Sequence, residues 1–129
     1  MTSTAAQPLS LVHVVDSLEF GGLERVVTDL AIAQQAAGHR VGVFSINATT
    51  GFRPVLEAAG IPVIVGNKQG TLDLKVLIKL RQTVRERGID TVHAHNFVPS
   101  YYAAAALLGM RRRPTQVVTC HDMGTRLSN

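Results

Sequence analysis

Five short runs rich in β-branched and apolar residues recur along the chain, at 11–15, 40–46, 62–65, 90–93 and 115–119, and segments with helical spacing separate them. This alternation constrains the fold more than any other feature. Parallel strands cannot be joined by tight hairpins and need crossovers, usually helical. Runs such as Leu11-Val-His-Val-Val15 lack the in–out alternation of a half-solvated strand and suit a sheet covered on both faces. The order β-α-β-α-β-α-β-α-β predicts the α/β class: a doubly wound, Rossmann-like parallel sheet. Residues 1–10 read as a polar tail and 11–129 as one domain. No internal repeat is present.

The connecting segments carry helix signals. In 23–37, Leu23, Val26, Val27, Leu30, Ala33 and Ala37 follow helical spacing, and Gly38 is the stop. A short helix over 52–59 ends at Gly60. A third, over 71–87, has Thr71 as its cap and Asp73 in its first turn, with Gly88 as its stop. Its stripe Leu72, Val76, Leu80 and Val84 is expected to face the sheet, leaving Lys75, Lys79 and Arg81 off that stripe. An alanine-rich helix fills 97–109, its small side chains suited to close helix–sheet contact.

At 129 residues and 46% apolar, the chain suits a single cored domain and not a disordered one. Cys120 is the only cysteine, so an internal disulfide and a multi-thiolate zinc site are both excluded. The apolar stretch 97–110 has 14 residues, short of the about 20 that a membrane-spanning helix needs. The first residues lack a basic start and an apolar run, so they do not read as a secretory signal, and the expected location is cytoplasmic. Net charge is +4, and nine of the 13 basic residues lie in 68–87 and 111–113. No aromatic is interleaved with them, so no nucleic-acid partner is expected. Helix 71–87 is the segment that would meet an anionic membrane peripherally, at its inner face.

Ligands of doubly wound sheets bind beyond the carboxyl ends of the strands, at the topological switch point. That rule selects 16–22, 95–99 and 121–126. Gly21 and Gly22 stand where the first strand turns into a helix, so backbone N–H groups can approach an anion there. Asp16, Glu24 and Arg25 flank them. His93 and His95 share a strand face, and with His121 they make the one set of histidines with metal-ligand character; His93 reads more simply as a core residue. The first strand carries no G-x-G-x-x-G, against a dinucleotide dehydrogenase. Asp16 and Glu19 alone, with Gly66-Asn-Lys68 after the third strand, do not make the acidic cluster of a receiver domain.

Four segments, Phe20-Gly-Gly-Leu-Glu-Arg25, Ala37-Gly-His-Arg-Val41, Asp90-Thr-Val-His-Ala-His95 and Thr119-Cys-His-Asp122, together resemble the N-terminal, acceptor-side domain of glycosyltransferase family 4, over about residues 11–129. The resemblance implies half of a GT-B fold: two Rossmann-like domains with the active site between them. The implied activity is retaining transfer of a sugar, of hexosyltransferase type, from a nucleotide-sugar donor to a glycan or lipid-linked acceptor, as in polysaccharide biosynthesis. The second domain, with a Glu-x7-Glu segment and basic residues for the diphosphate, is expected to be missing, and the chain alone to be inactive. By resemblance, Gly21 and Gly22 lie against the donor phosphate, and His121 touches the donor sugar and supports positive character at the anomeric carbon. Asp16, Glu24, Arg25, His95, Asn96, Asp122 and Arg126 fall on the acceptor side. Retaining transfer is usually explained by same-face attack, the departing diphosphate taking the acceptor proton. Neither a cofactor beyond the nucleotide-sugar nor a metal is implied. The alternative is a stand-alone Rossmann-like ligand-binding module without catalytic activity.

Overall fold

In the computed structural model, which describes residues 7–120, the alternation becomes β1 (Ser10–Val15), α1 (Gly22–Ala36), β2 (Arg40–Ser45), α2 (Arg53–Ala58), β3 (Val63–Val65), α3 (Leu74–Glu86), β4 (Thr91–His95), α4 (Phe97–Leu107) and β5 (Thr115–Thr119). The sheet order is β3-β2-β1-β4-β5 and every pairing is parallel. The chain builds outward from β1 to β3, returns through α3, and restarts on the other side of β1 with β4 and β5. The connections leaving β1 and β4 therefore diverge, and the switch point lies between these two strands, as the sequence predicts.

Strand alternation divides the core into two layers. Leu11, Val15, Val41, Val43 and Val63 meet Val27 and Ala31 of α1 and Leu56 of α2. Val12, Val14, Phe44, Val92 and Ala94 meet Val76, Leu80 and Val84 of α3 and Tyr102, Ala103 and Ala106 of α4. All six residues of β1 are buried, which is why its sequence shows no polar alternation. The expected stops hold: Gly38, Gly60 and Gly88 follow α1, α2 and α3 with φ of +101°, +83° and +60°, a region that glycine enters without a Cβ clash.

Two helix faces differ from the sequence expectation. α3 starts at Leu74, not Thr71, because Asp73 is its cap: Asp73 Oδ1 accepts from Lys75 N at 2.9 Å and Oδ2 from Gln69 N at 2.9 Å. Leu72 thus precedes the helix and is 69% exposed. The buried line is Val76, Leu80, Thr83 and Val84. Arg81 is not a free surface cation, since its guanidinium donates to the Ala106 and Leu108 carbonyls at the end of α4. On α1 the buried residues are Val27, Thr28 and Ala31, and Val26 is 52% exposed. Thr28 can line the sheet because its hydroxyl donates to Glu24 O at 2.7 Å within the helix.

The register of α3 is testable. Leu80→Ala is expected to cost about 2–5 kcal/mol in urea unfolding, while Ile78→Ala, on the exposed side of the helix, costs under about 0.5 kcal/mol.

Candidate functional site at the switch point

The loop between β1 and α1 is held by its neighbour. The Glu19 carboxylate accepts from Thr50 N and Thr49 Oγ1, both at 2.7 Å. Thr49 Oγ1 in turn accepts from Leu18 N at 2.7 Å, and Phe52 N donates to Leu18 O at 2.8 Å. Phe20 meets Phe52 edge to face, with ring centroids 4.8 Å apart. The Thr50 N–H first, and the Thr49 hydroxyl second, hold the Glu19 carboxyl below the usual glutamate range. Gly51 makes the close approach possible: its φ is +49°, and a Cβ there would collide with the Leu18 carbonyl and stand 2.7 Å from Glu19 Cα.

This clasp sets the start of α1. Gly21 is the N-cap in extended conformation, and no side chain caps the helix. A Cβ on Gly22 would meet nothing within 4 Å, so the space beside the first turn is open. At Gly21 the missing side chain has another use: the Glu24 carboxylate folds back into the space a Cβ would occupy. Arg25 lies outside this arrangement, exposed and 3.6 Å from Asp29. Asp16, at the end of β1, has its carbonyl fixed by Asn47 N and Nδ2, each at 3.0 Å. Desolvation pushes the Asp16 carboxyl up, against the opposing effect of Lys68, with nearby Glu24 adding to the rise. Lys68 also lies 5.8 Å from the centre of the Tyr102 ring. The opening thus gathers Asp16, Gly22, Glu24 and Lys68.

On the β4 side, Asn96 caps α4 with φ +75°, one of two non-glycine residues in the described chain with positive φ. Asparagine tolerates that region better than most residues. Its N–H donates to Thr119 O at 2.7 Å, joining the β4–α4 turn to the end of β5. His95 is only 2% exposed, deeper than the half-buried His93, so the depths are the reverse of those read from the sequence. The cause is His13, directly opposite His93 in the β1–β4 register and beneath α1. His13 Nε2–H donates to Gln34 Oε1 at 2.7 Å, which leaves Nδ1 to accept from His95 Nε2–H at 3.0 Å. Burial holds His13 below the usual histidine range, opposed by the Gln34 bond. His93 Nε2 shares a 2.7 Å hydrogen bond with Thr119 Oγ1.

Asp16, Gly21, Gly22, Glu24, His95 and Asn96 thus meet around one strand junction. His121, Asp122 and Arg126 lie outside the described residues. Cys120 is half-buried. Glu19, Thr49, Gly51, Lys68, His13 and Gln34 were not picked out as site residues from sequence. A Thr-Thr-Gly run after β2 was the available signal for the clasp, and a histidine inside an apolar strand was the signal for His13. A cavity of about 660 Å³ lies at the opposite end of the sheet beside Arg85, Arg111, Arg112 and Arg113.

An all-parallel α/β domain with an uncapped helix N-terminus at its switch point belongs to the broad class that binds ligands at that edge. A family model described as Glycosyltransferase Family 4 matches residues 20–129, and the chain belongs to that family. It is a glycosyltransferase-type domain. No curated protein matches the chain. Among the described residues, no helix is long and apolar enough to cross a membrane.

The clasp predicts a pH signature. A carboxylate whose folded pKa is depressed adds stability above its ordinary pKa and loses it as pH falls through the folded value. The difference in unfolding midpoint between the parent protein and Glu19→Ala should therefore be full at neutral pH and shrink below about pH 4. A difference constant down to acid would contradict the assignment.

Proposed function

We propose that this domain is the acceptor-side half of a retaining, GT-B type glycosyltransferase. It moves a sugar from a nucleotide-sugar donor to a glycan or lipid-linked acceptor, as in polysaccharide assembly, and a second domain supplies most donor contacts. The observation that carries the reading is the open, uncapped start of α1 at Gly22, at the switch point of a family 4 domain. Free N–H groups at a helix start favour an anion, here one edge of the donor diphosphate. Asp16 and Glu24 stand beside it and suit acceptor hydroxyls, with Asn96 across the junction. His121, after β5, orients the donor sugar and supports positive character at its anomeric carbon. The departing diphosphate takes the acceptor proton, so no side chain of this domain is needed as general base. The chemistry needs no metal.

In the protein joined to its second domain, His121→Ala is expected to lower kcat by roughly 100-fold or more, as for loss of one electrostatic transition-state contact. Gly22→Val should raise the donor KM more than it lowers kcat, because it fills the space before the helix start. Near-normal turnover in both variants would sink the reading.

Peripheral attachment to the inner face of an anionic membrane belongs to the same proposal. Its support is the outer side of α3, where Leu74 (66% exposed) and Ile78 (56% exposed) accompany the exposed Lys75 and Arg85, with Leu72 just before the helix. Lys79 is partly engaged, donating to Val65 O at 2.6 Å. Sedimentation with vesicles containing anionic lipid should weaken for Lys75→Gln with Ile78→Ser. Arg81→Gln should instead lower stability and leave vesicle binding in place. Unchanged binding in the first pair would make this face an ordinary solvated one.

A further inference from the structure

We propose that His13, His93 and His95 form a binding site for one late first-row divalent ion, Zn²⁺ being the type case, which ties β1 to β4 at the switch point. This goes beyond the transferase reading and does not depend on it. His13 and His93 are register partners on adjacent parallel strands, and His95 lies two residues further on the same face. The His93 and His95 rings stack at 4.1 Å between centroids, and the His13 ring lies 5.2 Å from each. One ring nitrogen from each residue falls within 4.8 Å of the other two. Imidazole bonds to Zn²⁺ are about 2.0–2.1 Å, so ligand nitrogens of a tetrahedral site sit about 3.3 Å apart. His13 Nδ1 and His95 Nε2 are already 3.0 Å apart.

The outer contacts fit as well. A ligating histidine usually donates its other ring N–H to a carbonyl or carboxylate, which fixes the tautomer and aims the lone pair. Gln34 Oε1 does this for His13, accepting from Nε2–H at 2.7 Å. That bond leaves Nδ1 as the nitrogen turned toward His95. On binding, His95 shifts its proton from Nε2 to Nδ1, so the set ligates as three neutral imidazoles. A set of nitrogens without a carboxylate suits Zn²⁺, Cu²⁺, Ni²⁺ or Co²⁺, and not Mg²⁺ or Ca²⁺, which take oxygen ligands. Three protein ligands leave a fourth position for water. Because the loops leaving β1 and β4 part above this point, an ion here would fix the spacing of the two strands below the ligand crevice.

The test uses the full chain, freed of any affinity tag and stripped with a chelator. Titration with Zn²⁺ is expected to show one ion per chain and a rise in melting temperature. Co²⁺ should give the visible bands of a four-coordinate site. His13→Gln, His93→Gln and His95→Gln should each abolish the Co²⁺ bands, and Gln34→Leu should weaken binding roughly tenfold or more. His39→Gln, whose ring lies away from the cluster and accepts from Leu9 N, should bind as the parent does. If the His13 variant fails to fold, the Co²⁺ spectrum of the parent chain and the Gln34→Leu affinity decide. No retained ion, octahedral Co²⁺ bands only, or binding that follows His39 or His121 instead of the cluster would overturn the proposal.

Discussion

The parallel pairing of β1 with β2 on one side and β4 on the other governs the rest of the structure. It buries every residue of β1 and fixes which of its side chains meet α1 and which meet α3 and α4. A slip of one residue would exchange the two sets, turning His13 away from Gln34 and putting Val12 or Val14 beneath α1. The lower end secures the register: Ser10 N donates to Asp90 Oδ2, Asp90 N to Ser10 O, and Arg40 N to Leu9 O, at 2.8–2.9 Å. With that end fixed, the upper ends of β1 and β4 arrive side by side and their loops part, which creates the crevice.

The crevice is then shaped by polar contacts more than by apolar packing. Glu19 reaches from the β1–α1 loop to two threonines after β2, and Gly51 lets the two backbones touch. The open space at Gly22 depends on this restraint, since without it the uncapped start of α1 has no side chain to define it. Asn96 plays the matching part on the other side, its strained backbone tied to the end of β5.

Much of this was legible because it rests on local chemistry. Apolar runs marked the strands, glycines marked three helix ends, and the strand–loop rule placed the crevice. What was missed depends on partners distant in sequence. The apolar spacing of α1 put Val26 on the sheet face, whereas docking against the sheet buries Thr28 and leaves Val26 exposed. Thr71 read as the helix cap with Asp73 in the first turn, but the Asp73 carboxylate accepts two backbone N–H groups and takes the cap instead. Arg81 and Arg85 look alike in sequence; Arg81 donates to the carbonyls at the C-terminal end of α4. His13 and His95 are 82 residues apart, so their contact exists only once β1 and β4 pair.

The distribution of charge limits what the crevice can be. The net charge of +4 is concentrated on α3 and at the arginine-rich end of the sheet, away from Gly22. Among the described residues of the crevice, Asp16 and Glu24 face a single nearby cation, Lys68. Two carboxylates beside one ammonium make a poor cradle for a whole diphosphate, and amide dipoles at one helix start offset only part of that repulsion. In the proposed enzyme the bulk of the donor's negative charge must then be held by the opposite domain. Within that proposal, the Asp16 and Glu24 carboxylates are the groups that accept hydrogen bonds from the hydroxyls of a sugar acceptor.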